Sequence, residues 1–130
     1  YCGENAAYGQ VLGMPARYEA DATLLAAAKR LAAAQQSPRV VTGLTVTGDW
    51  FVDSREKMRD ILNHFPDAMA VDMESAAIAQ ACYINKVAFL SFRIISDVPL
   101  SDHKASQYFD FWERMAQGSF DVTRAFIETL

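Results

Sequence analysis

The chain has 130 residues, 52% of them hydrophobic, which is the length of one ordinary domain with ample material for a packed core and excludes a disordered segment. Lys and Arg total 12 against 16 Asp and Glu, and the net charge of −4 excludes a basic face for tracking a nucleic-acid backbone. Cys2 and Cys82 stand far apart without a CxxC or Cys/His cluster, no basic-then-apolar leader opens the chain, and no apolar run nears the roughly 20 residues of a membrane span, so a cytoplasmic protein with no metal, disulfide framework or membrane partner is expected.

The opening YCGENAAYGQVLGMP lacks an initiator Met and starts among loop-like residues, which predicts that an N-terminal part is missing. Asp21 is a predicted N-cap for an Ala-rich helix, DATLLAAAKRLAAAQQ, that Ser37-Pro38 stops. VVTGLTV over 40–46 is β-branched and runs into the turn signal Gly48-Asp49, a strand. Ser54 then caps SREKMRDILNHF, whose Met58, Ile61, Leu62 and Phe65 fall at helical spacing before Pro66.

A second strand, AMAVDM, leads into a helix, ESAAIAQACYIN, with small Ala76, Ala77 and Ala81 facing a sheet and Asn85 as its stop. VAFLSFRII is apolar at nearly every position and reads as a central third strand buried on both faces. After the loop SDVPLSDHK, a last helix runs from about Ser106 to Thr129, with Gly118 a point of bending. Strands alternating with helices predict a single α/β domain over 1–130 with a parallel sheet. Three strands are few for such a sheet, so further strands are expected from residues outside these 130 or from another chain.

Three predicted strand ends carry unusual residues: Gly48-Asp49-Trp50-Phe51, Asp72-Met73-Glu74 and Ser96-Asp97. Open parallel sheets bind ligands outside the carboxyl ends of their strands, and neighbouring strands lie about 4.8 Å apart, so these ends should border one pocket. Two carboxylates beside an aromatic pair suit a ligand with a flat ring and hydroxyls. Each residue also has a plainer reading. Glu74 could complement the dipole of the helix it opens, Asp97 could initiate a turn before Pro99, and Trp50 and Phe51 could be core. Arg93 lies within an apolar run, where an unpaired charge is costly, and should pair with an acid such as Asp72. His64 and His103 have no ligand spacing and read as surface residues. Tyr108, Phe109, Phe111 and Trp112 crowd too closely for one helical face, so some of them cover a pocket or an interface or pack elsewhere. No GxSxG, GxxxxGK[ST], HExxH or GxGxxG is present.

AVDMESAAIAQACYINKVAFLSFRIISD, together with YGQVLGMPARYEAD and GDWFV in the same order, resembles the C-terminal half of the bacterial 5′-methylthioadenosine/S-adenosylhomocysteine nucleosidases, within the nucleoside phosphorylase superfamily. The resemblance implies a three-layer αβα fold with a largely parallel or mixed sheet of the nucleoside phosphorylase type, lacking its N-terminal strands. It implies an N-glycosyl hydrolase that releases adenine from an adenosine thioether, with no cofactor or metal, acting as a homodimer whose subunit contact lies near YGQVLGMP. Phe51 and Val52 would hold the adenine by stacking and backbone hydrogen bonds, Met73 would pack on the sugar, and Glu74 would bind the ribose hydroxyls. Asp97 would protonate the departing purine at N7, positioned by Ser96, and Phe109 would lie at the thioether end. Asp72 and Arg93 would stand behind these groups, Asp72 where the family usually has Glu. The glutamate that activates water belongs to the family's N-terminal half, outside these residues.

The chemistry itself asks for two groups: cleaving a nucleoside builds positive charge on the sugar and negative charge on the base, so a carboxylate near the one and a proton donor near the other stabilise the transition state. A nucleoside phosphorylase, an AMP nucleosidase or a futalosine hydrolase is the alternative enzyme, and a truncated module that only binds nucleosides or dimerises is the alternative of another class.

Overall fold

The computed structural model describes residues 6–34, 39–102, 107, 110–111 and 120–130, and all structural statements refer to these. The order is α1 (Ala22–Ala34), β1 (Leu44–Thr47), α2 (Arg55–His64), β2 (Ala68–Asp72), α3 (Ser75–Asn85) and α4 (Phe120–Ile127). Asp21 caps α1 as its sequence position predicts: its Oδ1 accepts from the amides of Thr23 and Leu24, both at 2.9 Å. Ser54 does the same for α2, accepting from the Lys57 amide at 3.2 Å. The helix before the third apolar stretch ends on Asn85, as the sequence predicts, and is capped by Lys86, which takes a left-handed conformation with φ 56° and ψ 39°.

β1 and β2 pair in parallel, joined by the α2 crossover, as alternating strand and helix patterns require. The register is irregular. Leu44 pairs with Ala68 but Thr45 pairs with Ala70, so Met69 is an extra residue in β2. A Cβ on Gly43 would stand 2.7 Å from Met69 Cβ, so only glycine leaves room for that bulge.

The predicted third strand is corrected by the structure. No ladder joins 87–98 to β1 or β2, and the sheet has two strands among the described residues. A strand exists only by its partner's hydrogen bonds, which no local pattern guarantees. Its burial on both faces is also corrected. Leu90 and Phe92 pack on the core of Ala27, Ala28 and Phe126 between α1 and α4, with the Phe92 and Phe126 rings 4.8 Å apart, whereas Ser91 and Arg93 enter a polar network. Val87, Ile94 and Ile95 are exposed. A cavity of ≈ 1160 Å³ is lined on one side by Gly43, Leu44 and Thr45 and on the other by Phe89, Leu90 and Ile95. The remainder of the predicted last helix lies largely outside the described residues, apart from α4 and the helical positions Gln107, Asp110 and Phe111.

Candidate active site

The carboxyl ends of β1 and β2 are locked together by Asp72 and by Thr47, which the sequence reading left unassigned. Thr47, the last residue of β1, donates from Oγ1 to Asp72 Oδ1 at 2.7 Å, and Asp72 closes β2. Asp72 Oδ1 also accepts from the Ser75 amide at 3.2 Å, and Thr47 Oγ1 accepts from the Ala76 amide at 3.0 Å. The first amides of α3, which every helix leaves without an internal partner, are therefore satisfied by Asp72 and Thr47.

Glu74 precedes α3 but makes no side-chain cap, and its carboxylate, 58% exposed, accepts only a long 3.3 Å bond from the Met73 amide. Glu74 stands at the N-terminus of α3, where its charge complements the helix dipole, while the side-chain capping is done by its neighbours. Its carboxylate is left at the open edge of the sheet, beside an exposed Met73.

Arg93 enters from the third apolar stretch. Its Nε lies 2.7 Å from Asp72 Oδ2, the ion pair that the cost of a charge in an apolar run demands. Nε and Nη2 also donate to Ser75 Oγ at 3.0 and 2.7 Å, and Ser75 Oγ, in a buried residue, donates to Asp72 Oδ2 at 2.5 Å and meets Ser91 Oγ at 3.0 Å. Nη1 reaches Glu74 Oε2 at 4.0 Å. Burial pushes the Asp72 carboxyl up, but the hydroxyls of Ser75 and Thr47, the Ser75 amide and the Arg93 charge outweigh it and hold the group below its ordinary range.

Asp97 follows Arg93 by four residues, at most about 14 Å of extended chain, so the network bounds how far the two acids can stand from each other. Ser96 Oγ donates to Asp97 Oδ1 at 2.6 Å. The loop beyond is held by Gln107, whose Oε1 accepts from the Val98 amide at 3.0 Å and whose Nε2 donates to Ser101 Oγ at 3.3 Å, and by an Arg55 to Asp102 ion pair. No hydrogen bond or ion pair joins Glu74 to Asp97 among the described residues.

Trp50 and Phe51 are 51% and 60% exposed, so neither is the core residue that one reading of the sequence allows. The Phe51 carbonyl already accepts from the Asp53 amide at 3.1 Å and Lys57 Nζ at 3.0 Å, and its ring is exposed. Val52, half-buried, lines a second cavity of ≈ 260 Å³ with Thr47 and Asp72. His64 is exposed and its ring lies 3.8 Å from that of Tyr8. Phe109, like Tyr108, Trp112 and His103, lies outside the described residues. No cluster of three His, Cys, Asp or Glu among the described residues could hold a metal ion, and no helix there is long and apolar enough to cross a membrane. Thr47, Ser75 and Ser91 were not singled out from sequence. The available signal was Arg93 itself, a charge whose neighbours in an apolar stretch had to be polar.

Residues 2–128 match the sequence profile of the phosphorylase superfamily. The chain belongs to the phosphorylase superfamily. Within it, the chain is 37% identical over 124 residues to the 5′-methylthioadenosine/S-adenosylhomocysteine nucleosidase of Geobacillus kaustophilus, covering 95% of this chain and 52% of that protein. The crystal structure of the nucleosidase of that name from Neisseria meningitidis, in complex with methylthio-immucillin-A, superposes with a TM-score of 0.86 at 36% identity, over 97% of this chain and 54% of that one. Futalosine hydrolase of Helicobacter pylori superposes with a TM-score of 0.78 at 28% identity, over 94% of this chain and 51% of that one. The α/β fold expected of the superfamily holds, and the chain spans about half the length of the curated relatives it matches.

Proposed function

We propose that the protein carrying these residues hydrolyses the N-glycosidic bond of 5′-methylthioadenosine and S-adenosylhomocysteine and releases adenine. The observation that carries this reading is the freedom of Glu74. Asp72 and Thr47 cap the first amides of α3, and the Glu74 carboxylate lies exposed, 4.0 Å from Arg93, the residue that precedes Asp97 by four. The similarity to nucleosidases of that specificity supports the substrate class.

In the proposed reaction, water gives a proton to a base carried outside these residues and adds to the anomeric carbon as the bond from that carbon to the purine nitrogen breaks. The sugar passes through an oxocarbenium-like state that the Glu74 carboxylate steadies through the ribose hydroxyls. The electron pair of the broken bond stays on the purine, and Asp97, with Ser96 on its Oδ1, delivers a proton to N7. Phe51 and Val52 hold the adenine by stacking and backbone hydrogen bonds, while Met73 packs on the sugar and Phe109 at the thioether end. The substrate partner is a small nucleoside, and the reaction calls on no cofactor.

A cytoplasmic homodimer belongs to the same proposal. The exposed Tyr8, Val11 and Leu12 give the YGQVLGMP segment an apolar surface suited to a subunit contact, and the free Cys82 fits a reducing compartment.

The test is adenine release from 5′-methylthioadenosine by the full-length polypeptide. Asp97→Asn should lower turnover by about 10²-fold or more while leaving the folded state intact. Near-normal turnover in that variant removes Asp97 from its role. The futalosine hydrolase likeness favours one second reading, which faster cleavage of futalosine than of methylthioadenosine would establish.

A further inference from the structure

Arg93 presents three nitrogens, and the structure spends them unequally. Nε and Nη2 are held by Asp72 Oδ2 and Ser75 Oγ at 2.7 to 3.0 Å, on side chains that are themselves nearly buried, with Asp72 9% exposed. Ser75 Oγ cannot turn away, because its own proton goes to Asp72 at 2.5 Å and Ser91 Oγ closes its other side at 3.0 Å. Thr47 holds the far oxygen of Asp72. A planar guanidinium gripped along one edge is held in place, which sets its remaining Nη1 4.0 Å from Glu74 Oε2, an ion-pair separation.

We propose that Asp72 and Ser75 are a positioning pair that fixes the Arg93 guanidinium, so that its Nη1 orients the Glu74 carboxylate for bidentate recognition of the sugar's vicinal hydroxyls. The inference rests on the reading above in which Glu74 binds ribose. It adds that selectivity for ribose over deoxyribose is set from behind Glu74, by two side chains that never touch the sugar. Asp72 pairs directly with the guanidinium, and the Ser75 hydroxyl ties the same carboxylate oxygen to Nε and Nη2.

The experiment compares kcat/KM for 5′-methylthioadenosine and its 2′-deoxy analogue in the full-length polypeptide, with Glu74→Gln fixing the ratio of a site that has lost its carboxylate. Ser75→Ala and Asp72→Asn should each lower the ribose-to-deoxyribose ratio by about tenfold, the ribose substrate losing more than the 2′-deoxy analogue, which keeps only its 3′-hydroxyl on Glu74. Asp72→Glu should restore most of it. A merely structural role would lower both substrates in parallel, and that result, or an unchanged ratio, overturns the inference. Alanine is well tolerated in a helix, so Ser75→Ala carries the test even where Asp72→Asn fails to fold. A wild-type polypeptide that cleaves neither substrate removes the proposed function and the inference with it. Wild-type cleavage with insensitive variants removes the inference alone.

Discussion

Asp72 carries many obligations: two hydroxyls, an amide and a guanidinium converge on its two oxygens. Because these hold its pKa below the ordinary 3.8, its contribution to stability is complete above that value and is lost as pH falls through the lowered one. The urea midpoint of the wild type should therefore drop below pH 3.8, and Asp72→Asn should show a shallower drop over the same range. An equal slope in both proteins would show that other carboxylates dominate acid unfolding. At this scale the sequence was legible where chemistry forces a partner. Arg93 in an apolar run demanded an acid and has Asp72. It was silent where partners are ordinary hydroxyls: Thr47, Ser75 and Ser91 lie far apart in the chain, and nothing in their local context distinguishes them from any other Thr or Ser. Trp50 and Phe51 illustrate a third case, since the same aromatic pair is compatible with a core or with an open site until neighbours are known.

Among the elements, the helices were legible because their signals are local. Asp21 and Ser54 each stand where an orphan amide needs an acceptor, and both accept from one. Asp21→Ala should cost about 1 kcal/mol, read as a lower denaturation midpoint for a domain whose α1 packs against α4. Lys86 is the opposite case. It holds a left-handed conformation that a side chain resists, so Lys86→Gly should raise the thermal midpoint by about 2 °C once the looser unfolded chain is counted. No gain on melting would mean that the lysine side chain makes compensating contacts. The third apolar stretch was misread for a non-local reason. Its composition describes a strand, but its pairing depends on a partner, and its alternation of Leu90 and Phe92 with Ser91 and Arg93 splits it between an apolar core and a polar network.

For the molecule as a whole, the decisive quantity is surface. The chain exposes 9557 Å², against about 6,800 Å² for a compact protein of 14.4 kDa. The buried hydrophobic residues among those described are Ala27, Ala28, Ala79, Val122 and Phe126, and Met69, Ile78, Ile84 and Ile95 are open. Such an excess is the size of an obligate interface. The 130-residue chain in isolation should therefore self-associate at micromolar concentration and bind hydrophobic dyes, as sedimentation velocity and dye fluorescence would detect. A monodisperse monomer without dye binding would show that the exposed faces are covered in solution. A different consequence issues from Gly43, at the quiet end of the sheet. By yielding space to Met69 it advances β2 one step against β1, and that step brings Thr47, rather than Gly48, abreast of Asp72. Phase is thus chosen at one extremity of the ribbon and consumed at the other. The stretches 43–47 and 68–72 should consequently absorb many changes of residue identity, yet an insertion or deletion within either would hand Asp72 a neighbour with no hydroxyl to offer.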